Sequence, residues 1–486
     1  MTAGAKAARS VPGSGAPDVS EDGVRTASAA VLLVGRRVLV AALSAVSTSI
    51  VARSLGAEYF GQLSSALAMY YLVAAVSDFG FSQVITRRLA VHPGRRGAVV
   101  RAGVRVASVW SSALCVATVV LAALAGLHAP RGQALLVLAP AVAGTGLLGL
   151  RQVLLVANRL RPMTLIDIAT NLVQAAVIST LALCGFGVGW LAGATAAGMM
   201  VNTVLCAVVA LRVVDATRPA RGESRRLVRE ALPLGLASVV SSAYFSIDMV
   251  LIGHLAPGQQ VGDYAAAVKV LSILVAVPGI IMGAALPGLS LAAADGQRLS
   301  LLVSRVWHLL AATALPACIT VGMFAPLVIA LLYGSAYGNA AVLLRVLVLA
   351  AVVSVVNNLL SGVLVALRRG PRMLLQNSVG LVGNVLLNIS LVPVFGVVAS
   401  AWATLATELV VCVAAFVALS GRVQLGPSLA ASARPASATT AAATTAAGLH
   451  RWPVPALLLS VGVFVAGNTA LRGWPRELWV RHHGRG

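Results

Sequence analysis

Charge is scarce in this chain, and acid and lysine are scarcest. Charged residues fill 10% of 486 positions, with 14 Asp and Glu against 36 Lys and Arg. A soluble globular domain carries about 25% charged residues, so this one lacks the groups to coat a water-facing surface. Aromatic residues reach only 5%, which argues against a stacked cage for flat drug cations. The five cysteines (Cys115, Cys184, Cys206, Cys318, Cys412) sit inside apolar runs without metal-ligand spacing. They read as small core residues, not as a disulfide framework or a metal site. No GxxxxGK[ST] loop occurs, so no phosphate cradle of that type is written here. No cofactor is implied. No loop carries a DxD or paired-carboxylate pattern, and none between the apolar runs is long enough for a catalytic domain.

What is present is hydrophobicity, at 59% of the chain. It gathers into about a dozen runs near 20 residues long, the length that crosses a bilayer core about 30 Å thick. The expected spans are 30–52, 60–84, 102–126, 133–156, 163–185, 188–211, 232–255, 262–289, 306–332, 340–366, 373–394 and 398–420. This is an all-α polytopic membrane protein. The basic residues then fall into alternate loops. One set holds Lys6, Arg9 and Arg25, then Arg87, Arg88, Arg95 and Arg96, then Arg159 and Arg161. The set continues with Arg218, Arg221, Arg225, Arg226 and Arg229, then Arg298, then Arg368, Arg369 and Arg372. The opposite set holds Arg53 and Arg131. The positive-inside rule puts the first set and the N-terminus in the cytoplasm. The net charge of +22 is therefore a topology signal with some attraction for anionic lipid, and nucleic acid is not an expected partner.

The polar stretch 213–231 divides the spans into six and six. The halves resemble each other. Gly61 opens GQLSSALAMYYLVAAV in the first, and Gly262 opens GDYAAAVKVLSILVAV at the same place in the second. QVLLVANRLRPM (152–163) aligns without gaps on GVLVALRRGPRM (362–373), which sets Asp167 against Asn377 and Gln174 against Asn384. Matches in the same order indicate a duplicated six-helix unit. An even number of spans makes the copies parallel, and transporters built from repeats bind substrate between them near mid-membrane. The organisation is then a disordered polar tail (1–28), an N-terminal lobe (29–212), a basic linker (213–231) and a C-terminal lobe (232–420). A low-complexity Ala/Thr/Ser/Pro linker (421–453) and a terminal apolar segment with a basic tail (454–486) follow. The run 454–471 is long enough to be a thirteenth span, which would put its basic tail outside; a re-entrant or interfacial segment would keep that tail inside.

Ionisable groups inside spans cost roughly 2.5–3.5 kcal/mol each at a helix centre and face an interior cavity by default. The chain places Arg36 and Arg37 in the first span, Asp78 in the second, Arg151 in the fourth, and Asp167 with Asn171 and Gln174 in the fifth. Asp248 lies in the seventh, Lys269 in the eighth, Asn357 and Asn358 in the tenth, Asn377 and Asn384 in the eleventh and Glu408 in the twelfth. Lys269 is one of two lysines in the chain, and its partner in the repeat register is Ala68. Asn and Gln also serve as interhelical hydrogen-bond glue, and Asp248 has a second reading as a structural bridge to Arg36, Arg37 or Lys269. A cation-lined cavity implies an anionic substrate. Arginine's planar fork suits phosphate or diphosphate, and amides such as Asn357 and Asn384 suit sugar hydroxyls.

The runs VARSLGAEYFGQLSSALAMYYLVAAVSDFGFSQVITRRLA (51–90) and ALPLGLASVVSSAYFSIDMVLIGHLAPGQQVGDYAAAVKVLSILVAVPGIIMGAALPGLS (231–290) resemble a known family. So does GSAYGNAAVLLRVLVLAAVVSVVNNLLSGVLVALRRG with LVPVFGVVASAWATLATE after it. The family is the polysaccharide flippases of the multidrug/oligosaccharidyl-lipid/polysaccharide exporter superfamily. The resemblance covers about residues 30–420 and rests on diffuse Gly, Pro and small-residue patterns. It implies two six-helix lobes, alternating access, and transfer of polyprenyl-diphosphate-linked oligosaccharide to the outer leaflet of a bacterial cytoplasmic membrane. Polysaccharide-assembly enzymes are the implied partners, and the activity is transport, not catalysis. In the related lipid II flippases, basic residues on the first, second and eighth helices line the cavity. Arg36, Arg37 and Lys269 occupy comparable helices here, while the second span carries Asp78 and no central basic residue. Asp248, Glu408 and Asp78 are the candidates for coupling to protons or Na⁺. Three other readings compete: a cation-coupled drug exporter of the same superfamily, a membrane polymerase or ligase, and a scaffold that recruits partners through its basic loops.

Overall fold

The computed structural model describes residues 19–91, 96–124, 126, 129–157, 159–213 and 222–420, with four isolated positions between 455 and 463. Side-chain environments are described from residue 35 onward. The expected thirteenth segment and both terminal tails lie mainly outside the described residues. Among the described residues the structure is all helical, and eleven helices are long and apolar enough to cross a membrane. This is a multi-pass membrane protein.

The first lobe contains α1 (Val19–Asp78), α2 (Phe81–Val91), α3 (Arg96–Leu124), α4 (Pro130–Gly144), α5 (Leu148–Val156), α6 (Leu160–Leu183) and α7 (Val188–Leu211). The second contains α8 (Glu223–Leu255), α9 (Gly258–Leu291), α10 (Gly296–Met323), α11 (Ala325–Tyr333), α12 (Ala340–Ala366), α13 (Gly370–Phe395) and α14 (Val397–Leu419). Within the first lobe α4 packs on α3 and α7, and α6 on α1 and α7. Within the second, α12 packs on α9 and α14, and α13 on α8 and α14. Helix α1 crosses the boundary to pack on α8 and α9.

Eleven helices serve twelve expected spans because α1 contains two. Its apolar part, Gly35–Asp78, has 44 residues, about 66 Å at 1.5 Å per residue and twice a bilayer core. The chain turns between its two spans at Gly56, at φ 74° and ψ 170°, a conformation that a Cβ disfavours. Three expected spans are interrupted. The run 60–84 breaks after Asp78, where Phe79 and Gly80 take φ of 35° and 75°. The run 133–156 is split by a 3₁₀ turn at Thr145–Leu147, and 306–332 breaks at Phe324. Hydropathy reports immersion, whereas backbone breaks follow from local packing. Here Gly80 lies against the Gly235 backbone of α8.

The linker is shorter than expected, because α8 starts at Glu223. Its charged first turns are amphipathic: Leu227 and Ala231 are buried with Phe81, Val84, Ala102 and Ala107 of the first lobe. Arg88 fixes this contact. Its Nε and Nη2 donate to Glu230 at 3.0 and 2.8 Å, and Nη1 pairs with Glu223. Bidentate guanidinium–carboxylate geometry is the strong form of this interaction. Arg88→Ala would strand the Glu223 carboxylate, which is 11% exposed, at a cost of about 1–3 kcal/mol. Its melting midpoint in micelles should fall, and Arg88→Ala with Glu223→Gln should recover part of the loss. An unchanged midpoint in the single variant would show that the clamp does not hold the lobes.

At the opposite end the lobes meet backbone to backbone. Gly61 and Gly262, which share a register position in the two repeats, face each other across the seam. A Cβ on Gly61 would lie 2.6 Å from Gly258 O and Gly262 N, and one on Gly262 would overlap Ala57. The same register pairs Ala57 with Gly258, so the contact is reciprocal, as a two-fold axis requires. Beside it, Tyr337 Oη donates to Ala52 O at 2.7 Å, and Phe60 packs on Tyr333 and Tyr337. Arg53 donates to the Leu332 carbonyl at 3.1 Å and to that of Leu331, a cation on the end of α11 where the helix dipole favours one.

Candidate functional site: a cation-lined cavity and a second, acidic pocket

Helix α1 presents Arg36 and Arg37 in sequence, about 100° apart around the axis. Arg36 turns into the first lobe and Arg37 is exposed. Helix α6 presents Asp167, Asn171 and Gln174 at i, i+4 and i+7, a single face. These side chains, with Arg151 of α5, Asn202 of α7 and Lys269 of α9, line a cavity of about 710 Å³. Ser44, Ser47, Thr48, Tyr70 and Tyr71 add hydroxyls from α1. The structure thus brings Arg36, Arg37, Arg151 and Lys269 together from three helices and both lobes. Among the described residues Lys269 is the second lobe's single cation on this wall.

Asp167 is the hub of the wall. Its Oδ2 accepts from Arg36 Nη1 and, at 2.6 Å, from Arg151 Nη2. Its Oδ1 accepts from Asn202 Nδ2 at 3.0 Å, and Asn202 also donates to Thr170 Oγ1 at 2.8 Å. Asn171 Nδ2 donates to the Asp167 carbonyl at 2.8 Å. The carboxylate is 6% exposed, against 15% for Arg36 and 31% for Arg151. Among the described residues, Arg37 and Lys269 have no hydrogen-bond or ion-pair partner. The wall therefore holds two cations tied to one carboxylate and two that are untied.

Asn357 and Asn384 do not reach this cavity. Asn384 lines a separate pocket of about 320 Å³ in the second lobe, with Tyr244, Asp248, Ser354, Thr404, Thr407 and Glu408. Asn357 serves that pocket from behind, donating to Glu408 Oε2 at 2.5 Å and to its carbonyl at 3.0 Å. Tyr244 Oη donates to Glu408 Oε1 at 2.8 Å. Asp248 forms no bridge to Arg36, Arg37 or Lys269. It accepts from Tyr264 Oη at 2.6 Å and from the Met249 amide at 2.8 Å. Asp78 belongs to neither site. Its Oδ1 accepts from Ser82 N at 3.3 Å and Ser82 Oγ at 2.5 Å, capping the start of α2, an ordinary duty for Asp at a helix start. Among the described residues no cluster of His, Cys, Asp and Glu could hold a metal ion. All five cysteines are free, and Cys184 is exposed at the end of α6 instead of packed in a core.

Sequence reasoning assigned no site role to Asp167, Asn202, Tyr244 or Tyr264. A signal for the first was available: the 167/171/174 stripe has helical spacing, and its repeat partners Asn377 and Asn384 are polar too. The second lobe repeats the contact in neutral form, with Asn377 Nδ2 donating to Ser241 Oγ at 3.0 Å.

Comparison with known proteins gives two family matches. The model described as "Polysaccharide biosynthesis protein" matches residues 27–292, more than half of the chain, and the MatE model matches 233–390. No curated protein sequence matches. Among solved structures, one described as lipid II flippase MurJ in an inward closed conformation aligns with a TM-score of 0.75 at 12% identity, over 90% of this chain and 98% of that one. An inward-facing multidrug resistance MATE family transporter of the MOP superfamily aligns at 0.58 and 17% identity, over 78% and 92%. A MOP superfamily transporter from Pyrococcus furiosus Vc1, described as having reversed polarity in its binding pocket, aligns at 0.55 and 18%, over 81% and 93%. These likenesses are of fold.

Proposed function

The chain belongs to the polysaccharide biosynthesis protein family, and from that premise we propose that it is a flippase for polyprenyl-diphosphate-linked oligosaccharide, working by alternating access between its two lobes. The observation that carries this reading is the convergence of Arg36, Arg37, Arg151 and Lys269 on one cavity. Cations immersed in a membrane protein need a purpose that outweighs their desolvation, and a diphosphate supplies it. Guanidinium forks take two phosphate oxygens at once, and Lys269 adds a point charge from the other lobe. The hydroxyls and amides of Ser44, Thr48, Asn171 and Gln174 suit sugar hydroxyls, while the lipid tail stays in the bilayer.

With the basic loops in the cytoplasm of a bacterial cell, the membrane potential favours moving a diphosphate's negative charge outward by about 2.3 kcal/mol per charge per 100 mV. The acidic pocket of the second lobe supplies a place for coupling to H⁺ or Na⁺ through Asp248 and Glu408. Glu408→Gln should leave headgroup binding intact and abolish any dependence of the rate on a cation gradient; retained dependence would remove Glu408 from coupling. The flippase would act beside enzymes that build and polymerise the lipid-linked sugar. A drug exporter for organic cations calls for acid on the cavity wall. Here four cations face one carboxylate, which favours an anionic cargo.

The test is flipping of a fluorescent polyprenyl-diphosphate oligosaccharide in proteoliposomes. Arg37→Ala should lower the rate by about 10- to 100-fold, the loss of a charge-assisted hydrogen bond. Absence of wild-type flipping across several sugars, with efflux of cationic dyes, would overturn the proposal in favour of the exporter.

A further inference from the structure

The four cations on the cavity wall are not equivalent. Arg37 and Lys269 are untied, whereas Arg36 and Arg151 close on the Asp167 carboxylate from two helices, with Asn202 completing the ring of donors. That ring is already an anion seat. Carboxylate and phosphate oxygens accept the same guanidinium donors in the same fork geometry. We propose that Asp167 is a resident counter-ion, holding the place of the substrate's diphosphate in the empty protein and competing with it for Arg36 and Arg151.

The alternative is that Asp167 is only a tie between helices, and two observations argue against it. First, the repeat supplies an internal control. Asn377, the register partner of Asp167, joins α13 to α8 through a neutral bond to Ser241 Oγ at 3.0 Å. The fold thus makes this helix contact without a charge. Second, the triad faces the cavity instead of the apolar core, and Arg151 keeps 31% of its side chain exposed. A guanidinium placed so can change partner without unpacking a helix.

The proposal rests on the flippase reading and adds a sequence of events to it. Arg37 and Lys269 meet the headgroup first. Arg36 and Arg151 then exchange Asp167 for phosphate oxygens, and the reverse exchange releases the headgroup. Affinity is weakened by the fraction of time the arginines spend on Asp167, and release is hastened by a competitor that never diffuses away. Asp167 is accordingly a positioning residue whose removal separates binding from turnover.

The experiment uses the full chain in nanodiscs and titrates inorganic pyrophosphate into wild type and Asp167→Asn. In parallel, both are assayed for flipping of the fluorescent lipid-linked oligosaccharide. Pyrophosphate should bind the variant about tenfold more tightly, and both the half-saturating lipid concentration and the maximal rate should fall. Should Asp167→Asn not be recovered folded, Arg151→Gln is compared with Arg151→Gln/Asp167→Asn, and the double variant should bind more tightly. Equal or weaker pyrophosphate binding in the variants lacking Asp167 overturns the proposal, and if wild type still flips the lipid, the flippase reading stands. A wild type that does not flip the lipid, with tighter pyrophosphate binding in the variants, overturns the flippase reading and leaves the counter-ion in place.

Discussion

Lys269→Glu is expected to lower flipping of the lipid-linked oligosaccharide by at least about a hundredfold while leaving the protein folded. The size follows from electrostatics. Two unit charges about 4 Å apart at an effective dielectric near 20 interact by about 4 kcal/mol, and each 1.4 kcal/mol is tenfold. Reversal converts attraction for the headgroup into repulsion, so a hundredfold loss survives a considerably longer distance. The fold should tolerate the change because Lys269 has no hydrogen-bond or ion-pair partner among the described residues and is only partly buried. Arg36 and Arg151 are worse probes, since their loss also disturbs Asp167. Lys269→Gln should fall between wild type and Lys269→Glu. Initial rates in proteoliposomes with matched protein content give the answer, and an unchanged rate for Lys269→Glu would remove this residue from the headgroup site.

Gly262→Leu should prevent the lobes from closing at the end opposite the basic loops. A Cβ at this position already overlaps the backbone of Ala57, and no rotamer moves a backbone. Overpacking of a tight contact costs about 1–3 kcal/mol. Two rigid lobes relieve it most cheaply by separating along the seam beside Phe60, Leu63 and Lys269 on the cavity wall. Alternating access needs closure at each end in turn, so transport should be lost. A cysteine at Ser64, in a background without the five native cysteines, should then react faster with a membrane-impermeant maleimide. Gly262→Ala should shift labelling in the same direction by less. Unchanged labelling and unchanged transport would show that the seam does not gate the cavity.

The apolar runs of the sequence found nearly every membrane helix, and two of them, 188–211 and 340–366, coincide with α7 and α12. Immersion needs only length and hydropathy, and both are local. The repeat was legible for the same reason, but the contact between its register partners Gly61 and Gly262 came only with the tertiary structure. The breaks at Thr145–Leu147 and Phe324, and the early start of α8 at Glu223, were not legible. They depend on what packs against the helix, as Phe81 and Val84 do against Leu227 and Ala231 in the first turns of α8.

The candidate site divides along the same line. Sequence alone determined that this chain spans a membrane many times, that its two halves match in register at several places, and that it keeps cations at Arg36, Arg37, Arg151 and Lys269 inside its spans. It set the depth of each polar group in the bilayer. Tertiary structure alone decided the rotation of each helix about its axis. In a membrane the lipid-facing and core-facing sides are both apolar, so no hydrophobic stripe announces which way a helix turns. Rotation is what sends Asn357 and Asn384 to the second lobe's own pocket, turns Asp248 toward Tyr264, and closes Arg36 and Arg151 on Asp167.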